Sequence, residues 1–305
     1  MKKVVRRSII PLCLGALALA NTGCSIKMMA INALGNALAG GSSGFAKDDD
    51  PELVRDAVPF ALKTIESLIE QAPKHKGLLL AACSGFTQYS YAFIQQEADF
   101  ITEQDLDRAT AMKARAKKLY LRGRDYGIRA FEVEFPGFGD QLRKNTDGAL
   151  AKLTKKHVPL LYYTGAAWAA AFAVDITDSR LSVEQTLFEK MMRRALALDE
   201  GYDMGALHDF FISWDAGHAT AGGSIKTARE HFARAKVLAR GQRVSPFVNL
   251  AESVSVTEQN KKEFEDLLNE ALAIDISVAA PEQKLANVIA QRRAKWLLSR
   301  INELF

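Results

Sequence analysis

Cysteine is scarce in this 305-residue chain: it occurs at positions 13, 24 and 83 only. That excludes a disulfide framework as the source of stability, and a chain this long does not need one, because it can bury a large core unaided. Cys83, inside GLLLAACSGF, is expected to be a small core residue rather than a nucleophile. Histidine is limited to His75, His157, His208, His218 and His231, with neither an H-E-x-x-H run nor a cysteine cluster, so no motif-type zinc site is present. The nearest approach to a ligand set is HDFFISWDAGH, where His208 and Asp215, and Asp215 and His218, share helical faces. Capping and polar contacts are the simpler use of those residues. No G-x-x-x-x-G-K-[ST] loop occurs, and alternating apolar segments longer than four residues are missing, which argues against a sheet. Neither a metal nor another cofactor is expected.

An excess of one charge is also missing once the N-terminus is considered. MKKVVRRSIIPLCLGALALANTGCS carries Lys2, Lys3, Arg6 and Arg7 before an apolar run from Ile9 to Ala20. The run is shorter than the roughly 20 residues a permanent membrane helix needs, and it has the layout of an export signal. The ending TGC resembles the lipobox of bacterial lipoproteins, which implies removal of residues 1–23 and lipidation of Cys24. Ser25, in place of Asp, favours the outer membrane. The full chain has 40 basic and 36 acidic residues. Four basic residues and no acidic ones fall in 1–23, so the exported part is 36 against 36, and nucleic-acid binding through uncompensated positive charge is excluded. Residues 24–47, rich in Ala, Gly and Ser, read as a tether. Its GGSSG fits the hydrolase pattern G-x-S-x-G, but no strand precedes it and no catalytic elbow is expected.

From residue 48 to 305 the pattern is that of one all-α domain of about ten to twelve helices. DDDP places acidic residues and Pro51 at a helix start. Pro159, Pro246 and Pro281 sit near other openings, while Pro73, Gly77, Gly201, Gly222, Gly223 and Gly241 mark ends. A repeat is visible in FEKMMRRALALD (188–199), AREHFARAKVLAR (228–240) and FEDLLNEALAID (264–275). Their reference alanines, Ala195, Ala235 and Ala271, are 40 and 36 residues apart. Small residues recurring at this period indicate a helical solenoid. The frame resembles the second helix of a tetratricopeptide repeat, and LLYYTGAAW (160–168) is similar to a first helix, through Leu161, Gly165 and Trp168.

AKKLYLRGRDYGIRAFE (116–132) concentrates basic residues, aromatics and glycines in one helical stretch. At about 100° per residue, Leu119, Tyr120, Gly123, Tyr126, Gly127 and Phe131 share an apolar arc. Arg122 and Arg129 each reach Asp125 at helical spacing, which suggests intrahelical pairing. Gly123 and Gly127 should admit a close crossing by the helix around 81–93, bringing Tyr89 near Tyr120 or Tyr126.

The lipoprotein start, LLLAACSGFTQYSYAFIQQEAD and above all LYLRGRDYG together resemble the T-component lipoproteins of TRAP transporters. The resemblance implies an all-helical, cryptically tetratricopeptide-like fold with a pore or cleft, homotrimers, and no enzymatic activity. It also implies a partner, the periplasmic substrate-binding P-component, and a small hydrophobic ligand. Aromatic density and the concave side of a solenoid suggest a lined channel; the expected lining is Gln88, Tyr89, Tyr120, Arg124, Tyr163 and Trp168, with the arginine favouring a carboxylate on the ligand. A tetratricopeptide-like envelope scaffold that binds a protein partner is the competing class.

Overall fold

The structure is a computed structural model that describes residues 44–218 and 223–305. The signal segment, Cys24, nearly all of the tether and Gly222 lie outside the described residues. After a short turn at Gly44–Lys47 come α1 (Pro51–Gln71), α2 (Lys76–Ser90), α3 (Gln96–Ile101), α4 (Leu106–Glu134), α5 (Phe138–Lys144) and α6 (Thr146–Ala151). They are followed by α7 (Val158–Ala173), α8 (Ser179–Val183), α9 (Gln185–Leu198), α10 (Ala206–Gly217) and α11 (Ile225–Ala239). The chain ends with α12 (Ser245–Leu250), α13 (Lys261–Ala273), α14 (Lys284–Ser299) and α15 (Ile301–Leu304). No strand occurs among the described residues. The fold is all-α, with short segments that lift the count above ten to twelve. Some segments are one rod: α2 runs through a π turn at Tyr91–Gln95 straight into α3.

The local chemistry explains the element ends. Asp50 caps α1 by accepting the Leu53 N–H at 3.0 Å, with Pro51 at the first helical position. Pro73 follows the end of α1, but Gly77 falls in the first turn of α2 rather than ending a helix. There the imidazole Nδ1 of His75 takes the capping role, accepting the Leu78 N–H at 3.1 Å. Beyond α11, Arg240 and Gly241 both adopt positive φ, 51° and 75°, and turn the chain back.

Three helical hairpins form the second half: α7 with α9, α10 with α11, and α12 with α13. The repeat positions seen in the sequence sit where hairpins close. Phe188, Ala195, Ala228, Phe264 and Ala271 are fully buried. A Cβ on Gly165 would come within 2.6 Å of Met192 Sδ, so a glycine on α7 is what lets α9 approach. Polar bonds between successive units recur at one sequence distance: Arg229 to Glu263, Lys236 to Glu270 and Arg243 to Asp209 each span 34 residues.

In the first half, α4 is sandwiched between α2 and α7. The glycine crossing occurs as expected. A Cβ at Gly123 would stand 3.1 Å from the Cys83 carbonyl and from Thr87 Oγ1, and one at Gly127 only 2.1 Å from Thr164 Oγ1. Across this crossing Tyr126 stacks on Phe86, 6.0 Å between ring centroids, while Tyr89 packs on Phe93 instead. The intrahelical pairing expected for Asp125 does not form with Arg122 or Arg129. Arg122 pairs with Glu66 of α1, Arg129 lies over the Tyr126 ring, and Asp125 takes the adjacent Arg124. A carboxylate held in a less polar site attracts a guanidinium more strongly than an exposed one at helical spacing. Cys83 is fully buried, and burial pushes its thiol up to about 12. It is a core residue.

The C-terminus then closes the arc. Helix α14 packs against α1 and the Gly44–Lys47 turn. Lys284 meets Asp49 at 2.5 Å, Arg292 meets Glu97 at 2.8 Å and Arg293 meets Asp99 at 3.2 Å. Phe100 and Trp296 add an aromatic contact at 5.2 Å. The hairpins therefore form a ring of helices rather than an open solenoid.

Candidate functional site

The ring encloses a cavity of about 1500 Å³. Its wall is made by α1 and α2 and by the first helix of each later hairpin, α7, α10 and α12, with α14 completing the circuit. Small residues such as Ala81, Ala166 and Ala170 hold the space open, and aromatic and aliphatic side chains give it an apolar character. Tyr91 is 42% accessible, yet protein surrounds it closely enough to raise its hydroxyl pKa by burial. Its accessible face is the cavity, and it projects from the π turn between α2 and α3, the kind of helix distortion that recurs at functional sites.

Four of the residues expected from sequence are found on this wall: Gln88, Tyr89, Tyr120 and Tyr163. Their roles differ. Gln88 is open to the cavity, Tyr163 packs edge-on against Tyr162 at 5.1 Å, and Tyr89 is held by Phe93. Tyr120 is fully buried and its hydroxyl donates to Gln95 Oε1 at 2.6 Å, so it stiffens the wall. Arg124 and Trp168 come together, but away from the cavity. The Arg124 guanidinium lies 5.0 Å above the Trp168 ring, and both reach Glu184, at 3.8 Å from Arg124 Nη1 and 3.1 Å from the donating Trp168 Nε1. This trio fastens α4 to α7 and to the start of α9. Helical spacing alone does not say which neighbouring helix Arg124 meets.

The polar end of the cavity was not anticipated from sequence. Arg243, 8% exposed, donates to Asp203 Oδ2 at 2.9 Å, to the Asp203 carbonyl at 2.6 Å and to Asp209 Oδ2 at 3.3 Å. Asp209 also accepts from Ser245 Oγ at 2.5 Å and from Asn249 Nδ2 at 2.7 Å. Gln283 donates to Asp203 at 2.7 Å. Burial pushes the Asp209 carboxyl above its usual range, against the pull of Arg243. Burial also works against the Arg243 charge, but Asp209 and Asp203 outweigh it and hold the guanidinium above its ordinary value. Asp203 has φ of 43°, a left-handed conformation in the turn before α10, and that turn aims its carboxylate and its carbonyl at one partner. One sequence signal did exist: Asp209 and Arg243 are 34 residues apart, the spacing of other contacts between repeats.

His208, Asp209, Asp215 and His218 do not gather into one ligand set. His208 Nδ1 meets His231 Nδ1 at 2.8 Å, whereas His218 stacks on Trp214 at 3.6 Å between centroids. Asp215 pairs with Arg193 at 3.0 Å, and Asp209 belongs to the Arg243 cluster. Among the described residues no group of three or more His, Cys, Asp or Glu is placed to hold a metal ion, and no helix is long and apolar enough to cross a membrane.

An uncharacterized protein of Treponema pallidum (strain Nichols) is 30% identical over 304 residues, with 93% of each chain covered. The sequence model described as TRAP transporter T-component matches residues 47–305, which is nearly the whole described structure. The chain thus belongs to the TRAP transporter T-component family.

Proposed function

We propose that this T-component is a non-catalytic lipoprotein anchored through Cys24, facing the periplasm, that binds or passes a small solute in its central cavity. It would act as a homotrimer and dock the substrate-binding P-component of its transporter, handing solute between the two. Ser25 supports placement at the outer membrane. The observation that carries this reading is the large apolar cavity enclosed by a closed ring of helices. A scaffold that binds an extended peptide calls for an open groove lined by Asn, Lys and Arg; this wall is mostly aromatic and aliphatic, and no Lys lines it among the described residues. Gln88, Tyr89, Tyr120 and Tyr163 remain the proposed lining from the sequence, joined by Tyr162, Phe210 and Trp214. The test is light scattering of the purified chain, alone and mixed with the P-component of the same transporter. A trimer that shifts to a larger complex supports the reading; a monomer indifferent to the P-component overturns the assembly.

A further inference from the structure

The cavity wall is uneven in charge. Among the described residues it carries three carboxylates, Asp203, Asp209 and Glu282, against one guanidinium, Arg243, and no lysine. Glu282 pairs with Lys47 at 3.6 Å, where both side chains are half exposed. That leaves Asp203 and Asp209 to share Arg243, at 2.9 and 3.3 Å. Asp209 is buried and already accepts from Ser245 and Asn249. Asp203 is the open one: 38% of its side chain is accessible. After accepting from Arg243 and Gln283 its two oxygens retain acceptor capacity. With Asp209 ionised this end of the cavity carries one excess negative charge, and with Asp209 protonated it is neutral. In neither state is a positive charge left over for an anion.

Aromatic rings gather at the same end. Tyr162 packs against Tyr163 at 5.1 Å and against Tyr202 at 5.5 Å, with the ring planes at 73° and 56°. All three line the cavity and keep part of their surface accessible. Burial raises the pKa of each hydroxyl, so the rings stay neutral, and the charges of Asp203 and Arg243 are felt at all three. Neutral rings set at steep angles beside a carboxylate suit an organic cation, because the faces of the rings attract positive charge that has shed its water. We propose that the cavity takes an organic cation with an apolar body, an alkylammonium, whose head lies among Tyr162, Tyr163, Tyr202 and Asp203. The inference rests on the cavity being a solute site and adds the charge of the solute. It also reverses the sign expected from sequence: Arg124 lies away from the cavity, and Arg243 is already held between carboxylates.

Calorimetric titration of the purified chain with octyltrimethylammonium, methyl octanoate and octanoate at neutral pH tests the charge, since the three share a chain and differ in the head. The cation is expected to bind at least about tenfold more tightly than the ester, a difference of about 1.4 kcal/mol, and octanoate more weakly still. An ester or a carboxylate that binds as tightly as the cation overturns the proposal but leaves the solute cavity standing. Failure of all three overturns the solute cavity itself. Asp203→Asn supplies the second readout, because it removes the charge while asparagine still accepts the left-handed φ of 43°. It should weaken octyltrimethylammonium about tenfold and leave methyl octanoate unchanged. Tyr202→Leu removes one ring and should weaken the cation several-fold, again without loss of the ester. Equal loss of both ligands in the two variants would mean that these residues offer only surface, and would overturn the proposed seat of the head.

Discussion

Arg293 and Asp99 are 194 positions apart in the chain and 3.2 Å apart in the fold. Arg293 also donates through Nε to Glu252 at 2.8 Å, so one side chain on α14 ties the π turn Ala251–Ser255, which continues α12, to the end of the α2–α3 rod. With an exposure of only 12%, it is the most enclosed cation in the seam that shuts the ring.

Arg293→Met should therefore destabilise strongly. It leaves Asp99 with Lys113 alone and Glu252 without its cation; a fully buried pair broken in this way costs about 3–5 kcal/mol, which is the ceiling for these partly exposed carboxylates. Arg300→Ala, further out in the same seam beside the half-exposed Glu103, should cost under about 1 kcal/mol. Urea unfolding of the two variants checks the contrast; equal losses would show that the seam does not depend on its enclosed pair.

Gly127→Ala is expected to destabilise, although alanine is the better helix former by about 1 kcal/mol. Its Cβ would meet Thr164 Oγ1 at 2.1 Å and Cys83 Sγ at 3.0 Å, wedging α4 from both neighbours. Overpacking of this kind costs about 1–3 kcal/mol. Gly123→Ala, whose nearest contacts would be 3.1 Å, should cost less. Thermal unfolding of the two single variants gives the order.

The glycine crossing was legible because it depends on residues that share one helical face and on a neighbour close in sequence. The repeat register of Ala195, Ala235 and Ala271 was legible for the same reason: each alanine sits where its own hairpin closes. Partners chosen by three-dimensional proximity were not. Nothing in LYLRGRDYG distinguishes an Arg122 paired with Asp125 from one paired with Glu66 of α1, and nothing near Arg243 announces that the turn at Asp203 will face it. Ring closure was the least visible feature, since it depends on α14 meeting α1 across almost the whole chain.

Stability should fall as the pH drops from about 6.5 toward 5, ahead of carboxylate titration. Burial lowers the pKa of His208, and burial with the neighbouring His208 lowers that of His231. The unfolded chain therefore takes up protons near the ordinary histidine value of about 6.5 while the folded pair still resists. The stability contributed by the neutral pair is present above that pH and lost below it, levelling off beneath the folded values. The geometry agrees: Nδ1 faces Nδ1 at 2.8 Å, so one ring must donate and the other accept, and a second proton removes the acceptor. Urea midpoints between pH 8 and 5 should slope in the native chain and flatten in His231→Gln.

Occupancy of the cavity tests the whole account most directly. Ala166 of α7 lines the wall, and Ala166→Trp would put an indole into the space. Native mass spectrometry of the gently purified chain and of this variant, each incubated with octyltrimethylammonium, gives the answer in one comparison. The account predicts one bound cation per native chain and none on a folded Ala166→Trp chain. A cation retained equally by both would contradict it.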